Sequence, residues 1–373
     1  MNFVIITHVQ HIIENSKYYG YAPYVREMNI WLKYVNEVTV VAPIEKSKLD
    51  NIHMDYHHKN IKFKEVPNFN TTSFLNLLRT LFKLPFIAWP IFLAMKRADH
   101  IHLRCPGNMG LLGCLVQILF PNTPKTAKYA GNWDPNANQP FSYKIQKWIL
   151  NNTTLTKNMQ VLVYGEWVGS SKNIKSFFTA TYSEIKKESI LPRSLKQKIN
   201  FVFVGTLSTG KQPLYAIRLV EKLKNLGLDV QLSLFGDGIL RNELEKHIES
   251  NGLNNYIFLK GNQSKEYIEQ AYKESHFLIL ASKSEGWPKV VAEAMFWGSL
   301  PLTTNVSCVN YMIDSEKRGK LLSLNLEADT QLVYNLIHNE TQYLNMCIEA
   351  RNWSQHYTTE YFENEIIKLL AVS

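Results

Sequence analysis

Two carboxylates, Glu285 and Glu293, stand with seven residues between them in the stretch ASKSEGWPKVVAEAMFWG, residues 281–298. A carboxylate only accepts hydrogen bonds, so a spaced pair suits hydroxyl donors such as those of a sugar or a ribose. Gly286 lets a ligand approach the backbone. Pro288 fits the first position of a helix, where its missing N–H costs nothing. A helix that starts there presents free N–H groups and a partial positive charge, which suit an anion such as a diphosphate. A second phosphate-type feature lies upstream. The turn VGTLSTGK runs from Gly205 through Thr206 to Lys211, again just before a helix. It is not a P-loop, because Gln212 replaces the required Ser or Thr. Gly236-Asp237-Gly238 and Gly261-Asn262 are two further turns between these features.

Strands and helices must carry these turns. Residues 276–280 read as a short apolar strand, and Val290, Val291, Ala294 and Trp297 recur at helical spacing. The order strand, tight loop, helix repeats along the chain. Residues 2–7 predict a first strand, and Gly20 opens an amphipathic helix with Tyr24, Met28, Trp31, Leu32 and Val35 on one face. Residues 37–42 predict the next strand, which makes a βαβ unit of a parallel sheet. Further strands are expected at 61–66, 99–103, 161–164 and 177–182, and then at 200–204, 229–235, 256–260, 300–304 and 319–322. Helices are expected at 111–120, 212–227, 327–350 and 359–370. The charged run 183–198 reads as an interdomain linker. The architecture is therefore α/β, with two similar halves.

With the turns placed, Glu285-x7-Glu293 inside SEGWPKVVAEAMFWG resembles the paired-glutamate motif of retaining glycosyltransferases of family 4, the glycosyl transferases group 1. The resemblance implies the GT-B fold. Two Rossmann-like αβ domains would face each other across a cleft, with a C-terminal helix crossing back to the first. The implied domains are 1–185 for the acceptor, 196–355 for the nucleotide-sugar, and 356–373 for the returning helix. It implies that Glu285, with the Gly286, Trp287 and Pro288 amides, holds the donor sugar and serves as the catalytic positioning group. Glu293 would hold the ribose. Lys211 matches the lysine of the family's diphosphate-gripping signature, whereas Thr206 stands where an arginine is usual. Gly205, Gly236, Gly261 and Asn262 complete the implied donor site. Gly20 corresponds to the glycine loop after the first strand. Arg104 is the candidate to restore the missing charge, and Asn132 and Asp134 are candidate acceptor contacts.

The reaction so implied moves a sugar with retention from a nucleotide-diphosphate sugar to a glycan or lipid-linked acceptor in cell-surface polysaccharide synthesis. UDP is favoured over GDP. No cofactor or metal is implied, and the sequence contains no Asp-x-Asp. The alternatives are a nucleotide-sugar-binding subunit without turnover and a nucleotide-sugar epimerase.

Composition bounds these readings. The 373 residues are 45% hydrophobic and allow two domains with real cores. Four cysteines, Cys105, Cys114, Cys308 and Cys347, lack metal-ligand spacing. The opening MNFVIITHV is not a signal peptide, so a reducing cytoplasmic setting is expected. Residues 1–195 carry 23 Lys and Arg against 12 Asp and Glu, and the remainder 18 against 20. The basic half is expected to face something anionic. The segment 74–97 mixes Leu, Phe and Trp with Arg79, Lys83, Lys96 and Arg97. It reads either as an interfacial helix pair on the inner face of the plasma membrane or as a core helix with a basic edge. Nucleic acid is not expected, because no binding module appears.

Overall fold

Runs such as Phe3, Val4, Ile5 and Ile6 are apolar on both faces, and all four side chains are fully buried. Strands of that kind belong inside parallel sheets covered on both sides. The computed structural model describes residues 1–50, 52–67, 74–188 and 193–371, with the side chains of 74–84 excepted. By its contacts the chain divides into two units, residues 1–178 with 362–373, and residues 179–361.

In chain order the first unit contains β1 (Asn2–Ile6), β2 (His11–Glu14), β3 (Lys17–Tyr21), α1 (Ala22–Leu32), β4 (Glu37–Ala42), β5 (His53–Asp55) and β6 (Ile61–Glu65). It continues with α2 (Phe74–Met95), β7 (His100–Cys105), α3 (Asn108–Val116), β8 (Lys125–Tyr129), α4 (Phe141–Leu150), β9 (Met159–Tyr164) and β10 (Ile174–Phe177). Seven strands form a parallel sheet in the order β10-β9-β8-β7-β1-β4-β6. A small antiparallel sheet, β2-β3-β5, stands beside it.

That small sheet corrects one expectation. Gly20 lies in β3, paired with His11, and not in a loop after β1. The turn at Asn15 and Ser16, φ +49° and +61°, makes a two-residue hairpin between β2 and β3. Such turns require positive φ at both central residues. A Cβ on Gly20 would come within 3.1 Å of Val25 and 3.3 Å of His11, so glycine allows close packing there.

The segment 74–95 is one helix, not a pair, although it contains Pro85 and Pro90. Ile87, Ile91, Ala94 and Met95 lie on one of its faces and are buried beside Val4, Ile6, Ile101 and Leu103. That packing offsets the roughly 3 kcal/mol or more that an interior proline costs a helix. Phe86 and Trp89 face outward, 73% and 61% exposed.

The second unit contains β11 (Ile199–Val204), α5 (Pro213–Asn225), β12 (Val230–Phe235), α6 (Arg241–Ser250), β13 (Ile257–Gly261), α7 (Lys265–Glu274), β14 (Phe277–Leu280) and α8 (Lys289–Phe296). After these come β15 (Leu300–Thr304), α9 (Val309–Ile313), β16 (Lys320–Leu322), α10 (Leu326–Ile337) and α11 (Glu340–His356); α12 (Thr359–Ala371) follows, mostly outside this unit. Its six strands are all parallel, in the order β13-β12-β11-β14-β15-β16. This is the doubly wound arrangement, with the reversal between β11 and β14.

The division falls earlier than the expected linker. β10 ends at Phe177, and the described part of 183–198 is tied to the second unit. Lys186 pairs with Glu269 at 3.2 Å. The Arg193 guanidinium donates to the carbonyls of Tyr272, Lys273, Trp297 and Gly298. Of the charges that suggested a solvated linker, Lys186 is paired with a carboxylate and Arg193 binds carbonyls. Most of α12 belongs to the first unit, where Phe362 meets Phe177 and Phe178, and Glu365 pairs with Lys175 at 2.8 Å.

Candidate functional site

Where a doubly wound sheet reverses its order, the loops leaving two adjacent strands run in opposite directions and open a crevice at their carboxyl ends. In the second unit these are the loop after β11, residues 205–212, and the loop after β14, residues 281–288. They contain Lys211 and Glu285. The structure brings the two side chains together: the Lys211 ammonium pairs with a Glu285 carboxylate oxygen. Lys211 is 29% exposed and Glu285 10%. Two further bonds join the loops. Lys283 N–H donates to the Gly210 carbonyl at 2.9 Å, and Gln212 Nε2 donates to the Ala281 carbonyl at 2.6 Å.

The loops after β11, β12 and β13 are joined in turn. Gly205 N–H bonds the Phe235 carbonyl, Leu207 N–H the Asp237 carbonyl, and Gly236 N–H the Gly261 carbonyl, all at 2.9–3.0 Å. At Gly236, with φ +129°, a Cβ would stand 2.0 Å from the Gly205 carbonyl oxygen. No side chain fits there. Gly205, Thr206, Gly236 and Asn262 line one cavity of about 250 Å³. Gly261 is not among the lining residues and is joined to them through the bond from Gly236 N–H. Lys211 and Glu285 lie outside this cavity's lining.

α8 starts at Lys289, one position later than expected, with Pro288 as its cap residue. No side chain caps this end, and Val291 N–H donates to the Pro288 carbonyl at 2.9 Å. The preceding loop is held by Ser307 Oγ and Cys308 Sγ, which donate to the Gly286 carbonyl at 2.9 and 3.3 Å. The Trp287 side chain turns into the protein, stacked on Trp353 with ring centres 6.2 Å apart. Only its main chain is left to face a ligand. Glu293, on α8, accepts hydrogen bonds from Thr181 Oγ1 at 2.9 Å and Tyr272 Oη at 3.4 Å. Desolvation raises its pKa above the usual carboxylate value, against the hydrogen bond from Thr181 and the charges of Lys289 and Lys265.

The candidates of the first unit do not form one cluster. Arg104 is half-buried on β7, 3.5 Å from Glu27 and over the Tyr24 ring. Asn132 Oδ1 accepts from Asp134 N–H, and Asp134 Oδ1 from Asn136 N–H, both at 2.8 Å. These are turn-forming roles. Gly20 is buried in β3.

A residue that sequence reasoning missed stands at this sheet's own reversal, between β1 and β7. His8 follows β1 and, with Tyr21, His53, Gly107 and Tyr143, lines a cavity of about 570 Å³. Burial, and then the charge of Arg104, lower its pKa, so the imidazole is neutral at pH 7. A Cβ on Gly107 would lie 2.8 Å from His8 Nδ1, and the backbone there has φ +150°. The available signal was positional, since Thr7-His8 directly follows an apolar strand.

Residues 185–353 match the family described as Glycosyl transferases group 1. Among characterised relatives, the chain is 25% identical over 179 residues to a GalNAc-alpha-(1->4)-GalNAc-alpha-(1->3)-diNAcBac-PP-undecaprenol alpha-1,4-N-acetyl-D-galactosaminyltransferase of Campylobacter jejuni, covering 47% of this chain and 49% of that one. It is 30% identical over 158 residues to the UDP-Gal:alpha-D-GlcNAc-diphosphoundecaprenol alpha-1,3-galactosyltransferase of Escherichia coli, covering 41% and 40%. The matched stretches span about half or less of the curated relatives. Among solved structures, Anabaena HepE in complex with UDP aligns with a TM-score of 0.69 at 14% identity, covering 100% of this chain and 99% of that one. The lipopolysaccharide outer core galactosyltransferase WaaB aligns with a TM-score of 0.69 at 16% identity, covering 100% and 99%. At such identities the likeness is one of fold. The fold is GT-B: two Rossmann-like αβ domains and a C-terminal helix.

Proposed function

From a GT-B fold whose second domain matches the group 1 glycosyl transferases, we propose that this chain is a retaining glycosyltransferase. It takes a sugar from a nucleotide-diphosphate sugar, with UDP as the nucleotide, and passes it to a glycan or lipid-linked acceptor. The observation that carries this reading is the Lys211–Glu285 pair, set at the sheet reversal four residues before the open start of α8. The bond between the anomeric carbon and the diphosphate breaks, and the nucleoside diphosphate leaves with added negative charge. An acceptor hydroxyl forms the new bond and gives up its proton. Lys211 and the first-turn N–H groups of α8 stabilise the departing charge. Glu285 accepts hydrogen bonds from the sugar hydroxyls and positions the anomeric carbon. Glu293 takes the ribose.

UDP is favoured because HepE is solved with UDP and one relative is named for a UDP-sugar. A lipid-linked acceptor is favoured because both relatives above are named for undecaprenyl diphosphate-linked glycans. Cell-surface polysaccharide synthesis at the cytoplasmic side of a membrane fits both. Among the described residues no helix is long and apolar enough to cross one.

Thermal-shift measurement against UDP, GDP and their sugars tests the donor, since a ligand that binds only the folded state raises its stability by mass action. UDP and a UDP-sugar should raise the melting temperature. Transfer to undecaprenyl-diphosphate-linked sugars should then follow, with the donor's anomeric configuration kept in the product by NMR. Donor binding without transfer would instead indicate a subunit without turnover, the reading that Thr206 in place of arginine favours. Absence of any nucleotide-induced shift would remove the proposal.

A further inference from the structure

The loop 132–135 contains Asn132 and Asp134, the candidate acceptor contacts of the sequence, and the proposed donor site does not use it. In the structure, Trp133 and Pro135 form one wall of a groove of about 520 Å³ in the first unit. Trp148 and Lys147 of α4, Asn151 and Asn152 after it, and Trp167 after β9 supply the rest of the surface that matters here. None of these residues lines the His8 cavity or the cavity at Gly205.

The three indoles differ in setting. Trp133 is buried, its ring edge-on to Tyr129 at 4.9 Å. Trp167 is fixed by its Nε1–H, which donates to the Tyr164 carbonyl at 2.8 Å. Trp148 has no such anchor among the described hydrogen bonds and is 63% exposed at the groove. An aromatic ring left bare beside fixed polar groups suits a ligand that is apolar on one face and polar at its rim.

The two asparagines supply the polar part. Asn151 Oδ1 accepts from the N–H and the hydroxyl of Ser171, both at 2.9 Å. Asn152 Oδ1 accepts from Thr154 N–H at 3.0 Å and Leu155 N–H at 3.1 Å. Because a backbone N–H can only donate, the oxygen end of each amide is settled by its partner. Both Nδ2 groups are then held in place as donors. Lys147 is the groove's single charged lining residue. It is tied to the Asp134 carbonyl at 2.8 Å, beside the Trp133 ring. One tethered cation is too little for a polyanion, and two oriented amide donors are wasted on an acyl chain.

We propose that this groove is a carbohydrate-binding subsite. A neutral pyranose would stack its C–H face on Trp148 and accept hydrogen bonds on its hydroxyls from Asn151 and Asn152. Its ligand would be a sugar unit of the acceptor glycan, and that identity alone rests on the transferase reading above.

The test uses the full chain and a panel of neutral di- to tetrasaccharides of glucose, galactose, N-acetylglucosamine and N-acetylgalactosamine. Binding is read by saturation-transfer NMR and calorimetry without donor present. At least one member should bind, with contacts strongest on one pyranose face. Trp148→Ala should weaken it tenfold or more, Asn151→Ala several-fold, and Trp148→Phe should restore part of the loss. Because Trp148 is exposed, circular dichroism and the melting temperature should stay as in the parent. UDP thermal shift, run alongside, should be unchanged in Trp148→Ala, so a failure of the donor reading and a failure of this one are seen separately. Two results overturn the proposal: no oligosaccharide binding by the parent chain, or equal binding by Trp148→Ala. Displacement of bound sugar by a short-chain detergent at similar affinity would assign the groove to an acyl chain instead.

Discussion

Glu285 and Lys211 are 74 residues apart in sequence and touch in the folded unit. A group that positions the reacting sugar contributes mainly in the transition state. Glu285→Ala should therefore lower turnover by about 10²–10³-fold, the scale seen when one such contact is removed. If Lys211 holds the donor diphosphate as proposed, Lys211→Met should lower turnover and also reduce the UDP-induced thermal shift, because its charge would meet the diphosphate in the ground state too. The two losses should not add in the double variant, since each single change already removes the ion pair. Additive losses in initial-rate assays would count against a shared site. Glu293 allows a prediction of opposite sign. Its pKa is raised in the fold, so the folded state favours the protonated acid. The stability this group contributes is full below the unfolded value of 4.5 and is lost as pH rises through the higher folded value. Glu293→Gln should thus melt higher than the parent at pH 7, with the gain gone at pH 4. If Glu293 holds the ribose, the same variant should bind UDP more weakly. Melting curves at the two pH values, with and without UDP, check both parts.

At the scale of elements, the cavity at Gly205 depends on two turns that approach more closely than any side chain permits. Gly236→Ala would place a Cβ 2.0 Å from the Gly205 carbonyl oxygen, at φ +129°. Gly252 also has positive φ, +64°, but nothing lies within 4 Å of its would-be Cβ. Gly252→Ala should cost only the backbone strain, about 1–2 kcal/mol. Gly236→Ala should cost more and should also abolish the UDP shift, because the Gly205 wall must move. Equal melting temperatures for the two variants would sink this account. These elements also show what was legible in the sequence. The strands at 37–42 and 300–304 are found at the expected residues, because parallel-sheet interiors are written as unbroken apolar runs. The hairpin of β2 and β3 was not read. Asn15-Ser16 is a weaker turn signal than Asn-Gly, and the strands HIIE and KYYGY are half exposed. For the segment 74–95 the sequence left a helix pair and a core helix both open, since two prolines weigh against a helix locally; core packing holds it as one helix.

Over the whole molecule, three buried histidines contribute to the response to acid. His11, His100 and His276 each have a pKa lowered to about 4, in every case chiefly by desolvation. A Val9 carbonyl partly opposes this at His11 and a Ser194 carbonyl at His276, while the Lys125 charge adds to it at His100. Lowered values mean that the unfolded chain takes up these protons first. The stability from the three neutral rings is complete above about pH 6.5 and is lost as pH falls toward 4. The melting temperature should fall through that window, and His276→Gln should flatten part of the slope. An unchanged slope in that variant would argue against the linkage. The basic charge of residues 1–195, with exposed Phe86 and Trp89 on α2, leads to a last expectation. The chain should sediment with vesicles containing anionic phospholipid and not with neutral ones, and Phe86→Ser with Trp89→Ser should release it at unchanged melting temperature.

Apolar runs, turn glycines and the spacing of Glu285 from Glu293 are local facts, and they sufficed to give two αβ halves and the strand–loop–helix order, and to single out the candidate residues of the second unit. Local patterns also carry phosphate-type turns, because a glycine-rich bend and a helix start are each made from neighbours in the chain. What only the tertiary structure decided is which loops meet. The sheet reversal between β11 and β14 sets Lys211 against Glu285, the reversal between β1 and β7 brings His8 to Gly107, and the packing of α4 against the loops beside it assembles three tryptophans into one groove. Strand order in a parallel sheet is fixed by packing among distant segments, and no periodicity along the chain records it.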